Sequence, residues 1–205
     1  MVACDSRPLG RGAPGNPFSS MRVQPGAMPY LFEQGWTRDR LIQRLVELGM
    51  SGQIVGPHGS GKSTLLAHLA EGLRSAGYRT VESEPQDLNP SVLPPGFVLV
   101  LDSAERLGFL GLARLKRRVS AIKGGLVITA HADAGLPMLC STQCTLNNAR
   151  RVIACVLEGA TVGLPDDALI QRLLSRHAGN LRLVLFDLYD WYEDRHRRRE
   201  GQSEW

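Results

Sequence analysis

The stretch Gln53-Ile54-Val55-Gly56-Pro57-His58-Gly59-Ser60-Gly61-Lys62-Ser63-Thr64 carries the residue types that grip a chain of phosphates. Its pattern is Gly-x4-Gly-Lys-[Ser/Thr], with Gly56, Gly61, Lys62 and Ser63 at the fixed positions. Glycines permit the positive φ angles and the close backbone approach that wrapping a phosphate demands. Loop amides and a helix N-terminus then aim donors and partial positive charge at the anion. Lys62 is expected to reach the β- and γ-phosphates, and the Ser63 hydroxyl to ligate Mg²⁺. The whole segment Gly56, Pro57, His58, Gly59, Ser60, Gly61, Lys62, Ser63, Thr64 is therefore the expected cradle for a nucleoside triphosphate. Both flanks agree. A short apolar strand ends at Val55, and Leu65, Leu66, Leu69 and Leu73 recur at helical spacing through Lys62–Ala76 before Gly77.

A carboxylate is needed to order the metal. Phe97-Val98-Leu99-Val100-Leu101-Asp102 reads as a strand buried on both faces that ends in Asp102, the second expected Mg²⁺ residue. Glu105 follows where the chain enters a helix. It either holds a water near the γ-phosphate or complements a helix N-terminus, and both readings stand. Leu126-Val127-Ile128-Thr129-Ala130-His131 repeats the apolar strand with a polar end. Ligands sit at such carboxyl edges, so Thr129 and His131 are candidates to feel the γ-phosphate; the alternative is a strand-end His facing solvent.

The supporting elements follow from pattern. Thr37 caps a helix with Leu41, Ile42, Leu45, Val46 and Leu48 on one face, ending at Gly49. Arg79–Glu82 makes a short strand, and the prolines in 83–96 mark a loop. Arg106–Ala121 is an amphipathic helix with Leu107, Leu110, Leu115 and Val119 inward. Its cluster Arg114, Lys116, Arg117, Arg118 is a solvated face or a contact for an anionic partner. Residues 132–148 read as irregular, and Val152–Leu157 as a further β-branched strand. Strands alternating with helices imply right-handed βαβ units and a parallel sheet. After Pro165 the chain turns helical, over Asp166–His177 and Leu181–Arg195, and ends in a basic run. The expected fold is α/β, a three-layer phosphate-loop NTPase with a five-stranded parallel sheet and a small C-terminal helical hairpin. Its boundaries are a flexible arm over 1–20, a core over 21–160, a lid-like hairpin over 161–198 and a tail over 199–205. Within 16–32, Asn16-Pro17-Phe18, Tyr30 and Phe32 are expected to pack on the domain, or to form part of an adenine pocket.

Bulk properties exclude several classes. With 205 residues, 43% hydrophobic and 21% charged, the chain is an ordinary globular protein. Its apolar runs are too short to span a bilayer, and no basic-then-apolar leader opens it. Cys4, Cys140, Cys144 and Cys155 do not form a disulfide framework, and Cys140-x3-Cys144 lacks a second ligand pair. Free thiols in a reducing cytoplasm are expected. A net charge of +4 argues only weakly for nucleic acid.

In this order the pieces resemble the additional-strand branch of phosphate-loop ATPases, and within it the AAA+ family, over about residues 16–195. Gly56–Ser63 resembles Walker A and Val98–Asp102 resembles Walker B. Thr129-Ala130-His131 stands where that family keeps its sensor-1 residue. Gly179-Asn180-Leu181-Arg182 resembles the Gly-Asn-x-Arg opening of its lid helix. The resemblance implies ATP and Mg²⁺ as cofactors, and a catalytic set of Lys62, Asp102, Glu105 and Arg182. Arg182 would offset charge on the transferring phosphoryl group. One departure stands out: Ser103 occupies the position of the family's water-polarising Glu. Glu105 substitutes for it, or the protein acts as a slow switch. The readings kept open are an ATP hydrolase acting as a switch or small motor, a kinase using Arg114, Arg117 and Arg118 as lid arginines, and a nucleotide-gated module binding a protein, itself or nucleic acid.

Overall fold

The computed structural model describes residues 15–24, 28–32, 35–160 and 162–200, with side chains to 198. Residues 1–14 of the expected arm over 1–20 and the last five tail residues lie outside them. The described residues divide into two compact units, one within 32–57 and 62–142, the other within 15–31, 58–61 and 143–200.

The first unit is built on β1 (Ser51–Val55), β2 (Thr80–Ser83), β3 (Val98–Leu101), β4 (Gly125–Ala130) and β5 (Met138–Ser141). All pairings are parallel and the order is β2-β3-β4-β1-β5. Register puts Leu99 beside Leu126 and Leu101 beside Ile128. These four side chains share one face with Leu112, Leu115 and Val119 of α4 (Gly108–Ala121). Since successive side chains alternate, Val98, Val100 and Val127 occupy the other face. That face belongs to α3 (Lys62–Ser75), which packs on β1, β2 and β4 and against α2 (Arg38–Glu47). At Gly72 a Cβ would come within 2.7 Å of the Arg38 Cδ, so a hydrogen there lets α2 and α3 approach closely. Thr37 caps α2 as expected, its Oγ1 accepting from the Arg40 amide at 3.1 Å.

The second unit holds α1 (Ser20–Val23), α5 (Leu146–Val156), α6 (Asp167–Arg176) and α7 (Leu181–Glu200). Phe18, Ile153, Ile170, Leu174, Val184 and Leu188 form its core. Asn16 anchors Phe18 there. Its Nδ2 donates to the Tyr189 carbonyl and to Glu193 Oε1, both at 2.8 Å, while its Oδ1 accepts from the Phe18 amide at 2.9 Å.

Two expectations are corrected. Val152–Leu157 is not a strand but the second half of α5 and its cap. Thr145 accepts from the Asn148 amide at 3.2 Å and starts a helix. Ala149, Ile153 and Val156 then fall on one buried face at helical spacing, which overrides the β preference of a β-branched run. The fifth strand instead comes from the segment read as irregular. Met138–Ser141 is a short edge strand with only Leu139 buried, so it lacks an apolar signature. The second correction is Leu110, which is 67% exposed rather than inward; Leu112 takes the core position.

Candidate functional site

The alternation that sorts the core also aims the polar strand ends. Asp102 continues the phase of Val98 and Val100, and Thr129 that of Val127, so both side chains leave the sheet on the α3 face. Ser63 stands in the first turn of α3. Its hydroxyl donates to Asp102 Oδ2 at 2.8 Å. Thr129, 1% exposed, donates to Asp102 Oδ1 and accepts from the Ser103 amide at 2.8 Å. The Ser103 amide occupies the Thr129 oxygen as a donor, so the single hydroxyl proton of Thr129 is free only for Asp102. Both carboxylate oxygens thus accept, as an ionised Asp requires. Ser103 reaches this geometry in the left-handed region, at φ 54° and ψ 48°. Thr129 therefore steadies Asp102.

Lys62 is buried, and its ammonium donates to the carbonyls of Gly56 and Pro57, each at 2.8 Å. His131 Nδ1 lies 3.2 Å from the same nitrogen, and His131 Nε2 lies 3.0 Å from Glu105 Oε1. Glu105 sits in the 3₁₀ turn Ala104–Leu107 rather than in a regular α-helix. Burial lowers the Lys62 pKa below its ordinary value, opposed by the negative charges of Glu105 and Asp102. Such a lysine gains from an anion that restores its partner charge. Lys62, Ser63, Asp102, Glu105, Thr129 and His131 are thus gathered at one edge of the sheet unit.

The loop glycines take the conformation reserved for them. Gly59 has φ +69° and Gly61 φ +92°. Within the helical unit, a Cβ on Gly59 would fall 1.9 Å from Asn180 Oδ1, so only glycine fits there. Asn180 also accepts weakly from the Leu183 amide at 3.4 Å, at the start of α7. A Cβ on Gly61 would lie 3.5 Å from Tyr30 Cε2, an ordinary contact. Arg182 is exposed, with its guanidinium 6.0 Å from the centroid of the Phe186 ring.

Two residues with structural weight had no role in the sequence reading. Gln53, 1% exposed, donates to Asp133 Oδ1 at 2.7 Å and to the Leu136 carbonyl at 2.6 Å, and accepts from the Ala134 amide at 2.8 Å. It thereby ties down the loop before β5. Its signal was a lone amide inside an apolar strand. Asn180 was visible only as a letter of the Gly-Asn-x-Arg pattern. The basic cluster is partly structural: Lys116 binds the carbonyls of Ala134 and Gly135, and Arg118 Nε donates to Pro90 at 3.2 Å.

No family model matches the sequence, and no curated protein matches it. Among solved structures the chain is similar to the replication initiator DnaA bound to AMPPCP and single-stranded DNA, at TM-score 0.55 and 15% identity, over 82% of this chain and 67% of that one. It is similar to a DNA replication initiation factor at TM-score 0.53 and 16% identity, over 79% of this chain and 63% of that one. AMPPCP-bound DnaA from Aquifex aeolicus gives 0.50 and 15%, over 84% and 68%. The likeness is one of fold, an α/β domain built on a five-stranded parallel sheet. The chain spans about two thirds of the length of these initiators. Among the described residues, no helix is long and apolar enough to cross a membrane.

Proposed function

We propose that this AAA+-like chain binds ATP with Mg²⁺ and hydrolyses it, acting as a nucleotide-operated switch. The observation that carries the reading is the 2.8 Å hydrogen bond from Ser63 Oγ to Asp102 Oδ2, which joins the start of α3 to the end of β3. The two hard oxygen donors fit a magnesium ion, since Thr129 steadies the Asp102 carboxylate and Ser63 can turn its lone pairs outward. When bound, the ion would neutralise charge on the β- and γ-phosphates. Lys62 binds the same phosphates in place of its present carbonyl partners. Glu105 takes the proton from the attacking water, standing in for the Glu that Ser103 replaces. Arg182 supplies positive charge from the helical hairpin. The lid-like hairpin over 161–198, the cytoplasmic setting and the preference for adenine belong to this same reading. Isothermal calorimetry with ATP and Mg²⁺, followed by phosphate release, tests it. Uptake and release in the wild type, both lost in Lys62→Ala, support it; no uptake by the wild type ends it.

A second reading is nucleotide-gated binding of single-stranded DNA. One solved neighbour is described as bound to such a strand. On α4 of the present chain Phe109 is 86% exposed, and Arg114, Arg117 and Arg118 of the same helix are also exposed. An exposed aromatic ring and arginines on one helix suit stacked bases and phosphates. Affinity for an oligonucleotide that rises with ATP and falls steeply with salt supports this reading.

A further inference from the structure

The ammonium of Lys62 has three protons, and each has an acceptor in this structure. Two go to the Gly56 and Pro57 carbonyls at 2.8 Å, and the third faces His131 Nδ1 at 3.2 Å. A lysine ammonium can only donate, so Nδ1 must accept. Gly56 O lies 3.3 Å from Nδ1 and would take a proton from it. Such a proton would, however, aim an N–H at an ammonium 3.2 Å away. The ring proton therefore sits on Nε2, directed at Glu105 Oε1 at 3.0 Å. The result is a chain of cation, neutral imidazole and carboxylate: Lys62 to His131 to Glu105. Asp102 is the other acidic group whose charge acts on Lys62. Of the three acceptors on Lys62, His131 is the most distant and the only side chain.

We propose that His131 is a latch, its ring tying the Lys62 ammonium to the Glu105 carboxylate until a triphosphate draws Lys62 away. The inference rests on reading the loop as a triphosphate site. While the latch is closed, Glu105 Oε1 is held 3.0 Å from a ring that the lysine, 3.2 Å from its other nitrogen, fixes in place. Once Lys62 turns to the phosphates, Nδ1 loses its donor and Glu105 faces only a neutral N–H. Glu105 is then no longer tied through the ring to the loop lysine. Occupancy of the loop is thereby coupled to release of the water-handling carboxylate, which suits a chain with Ser103 at the usual position of that group. His131 is a positioning residue that acts through its two neighbours.

The test has a spectroscopic and a kinetic arm. Long-range proton–nitrogen spectra of the full chain resolve five histidines, and His131 is the set missing from His131→Gln. In the nucleotide-free protein the His131 ring is expected as the Nε2–H tautomer. Its Nδ1 signal should shift when AMPPCP and Mg²⁺ are added, and Lys62→Ala should show the same shift with no nucleotide. A doubly protonated or Nδ1–H ring before nucleotide, or an Nδ1 signal that ignores AMPPCP in a protein that binds it, overturns the latch. Kinetically, His131→Ala should lose about tenfold or more in kcat, at the low end of what a misplaced general base costs. Its affinity for ATP should be unchanged or tighter, because Lys62 has one tie fewer. His131→Gln can accept from Lys62 and donate to Glu105, and should stay within about threefold of the wild-type kcat. Equal losses in the two variants, or an unaltered His131→Ala, count against the latch. Should His131→Ala fail to fold, the wild-type and Lys62→Ala spectra decide. A wild type that takes up no AMPPCP sinks the triphosphate reading; one that hydrolyses ATP while His131→Ala matches it sinks only the latch.

Discussion

The sheet unit and the helical unit both close around leucine- and isoleucine-rich clusters, yet they treat polar residues differently. In the sheet unit, parallel strands stop together, and the residues at the ends of β3 and β4 and just past them gather at the same edge. Asp102, Thr129 and His131 are therefore brought within hydrogen-bond reach of Ser63, Lys62 and Glu105. In the helical unit, polar groups end up capping and bracing. Asn16 ties the incoming segment to α7, Arg150 pairs with Asp167 at 2.9 Å, and His177 meets Asp187 at 2.8 Å. A sheet edge converges side chains from distant sequence, whereas a helical hairpin spreads them around cylinders. Arg182 fits that contrast: it is exposed and rests on Phe186 rather than in a network.

The contrast can be broken at several points. Phe18→Ala removes a side chain with 0% exposure from the helical core and should cost about 3–5 kcal/mol in urea unfolding. Retained ATP affinity at a permissive temperature would show that the sheet edge holds its groups independently. Lys62→Ala should lower phosphate release by about 10²–10³-fold, as removing a preorganised charge does. Its unfolding midpoint should not fall, because a buried ammonium is no longer present. Thr129→Val is nearly isosteric, but it strips a donor from Asp102 and an acceptor from the Ser103 amide. A loss of about 1–3 kcal/mol in stability is expected, with weaker Mg²⁺ dependence of turnover. Arg182→Ala should reduce kcat by about tenfold while stability changes by less than about 0.5 kcal/mol, as for any exposed site. A large change in melting temperature would show that Arg182 braces α7 instead.

Alkaline pH should act on the two units with opposite sign. The Lys62 pKa is lowered from 10.5 by burial, so the folded chain sheds this proton before the unfolded chain does. Between the lowered value and 10.5 the lysine contribution to stability rises with pH. Burial pushes the Cys144 thiol in the helical unit up to about 11 from 9.0. The unfolded thiol ionises first, so that contribution falls as pH climbs from 9.0 through about 11. Urea titrations of Lys62→Met and Cys144→Ser across this range should each remove one slope. Equal pH profiles in both variants and the wild type would refute the assignment.

What the amino-acid order settled by itself is local. The glycine spacing of the loop, the apolar runs that end at Asp102 and His131, the Thr37 cap and the two C-terminal helices follow from period and turn chemistry within short windows. The parallel five-stranded architecture follows from their alternation. Tertiary structure decided which segment supplied the last strand. Leu146–Val156 is helical because its buried face meets the helical core, and the plain Met138–Ser141 is a strand because the open edge of β1 needed hydrogen-bond partners. It also decided the partners of single polar atoms. That Thr129 steadies Asp102, that Gln53 ties down the loop before β5, and that His131 stands between Lys62 and Glu105 are facts of distance between residues 26 to 83 positions apart. No local pattern encodes such distances, since they exist only once the strands have stacked in register.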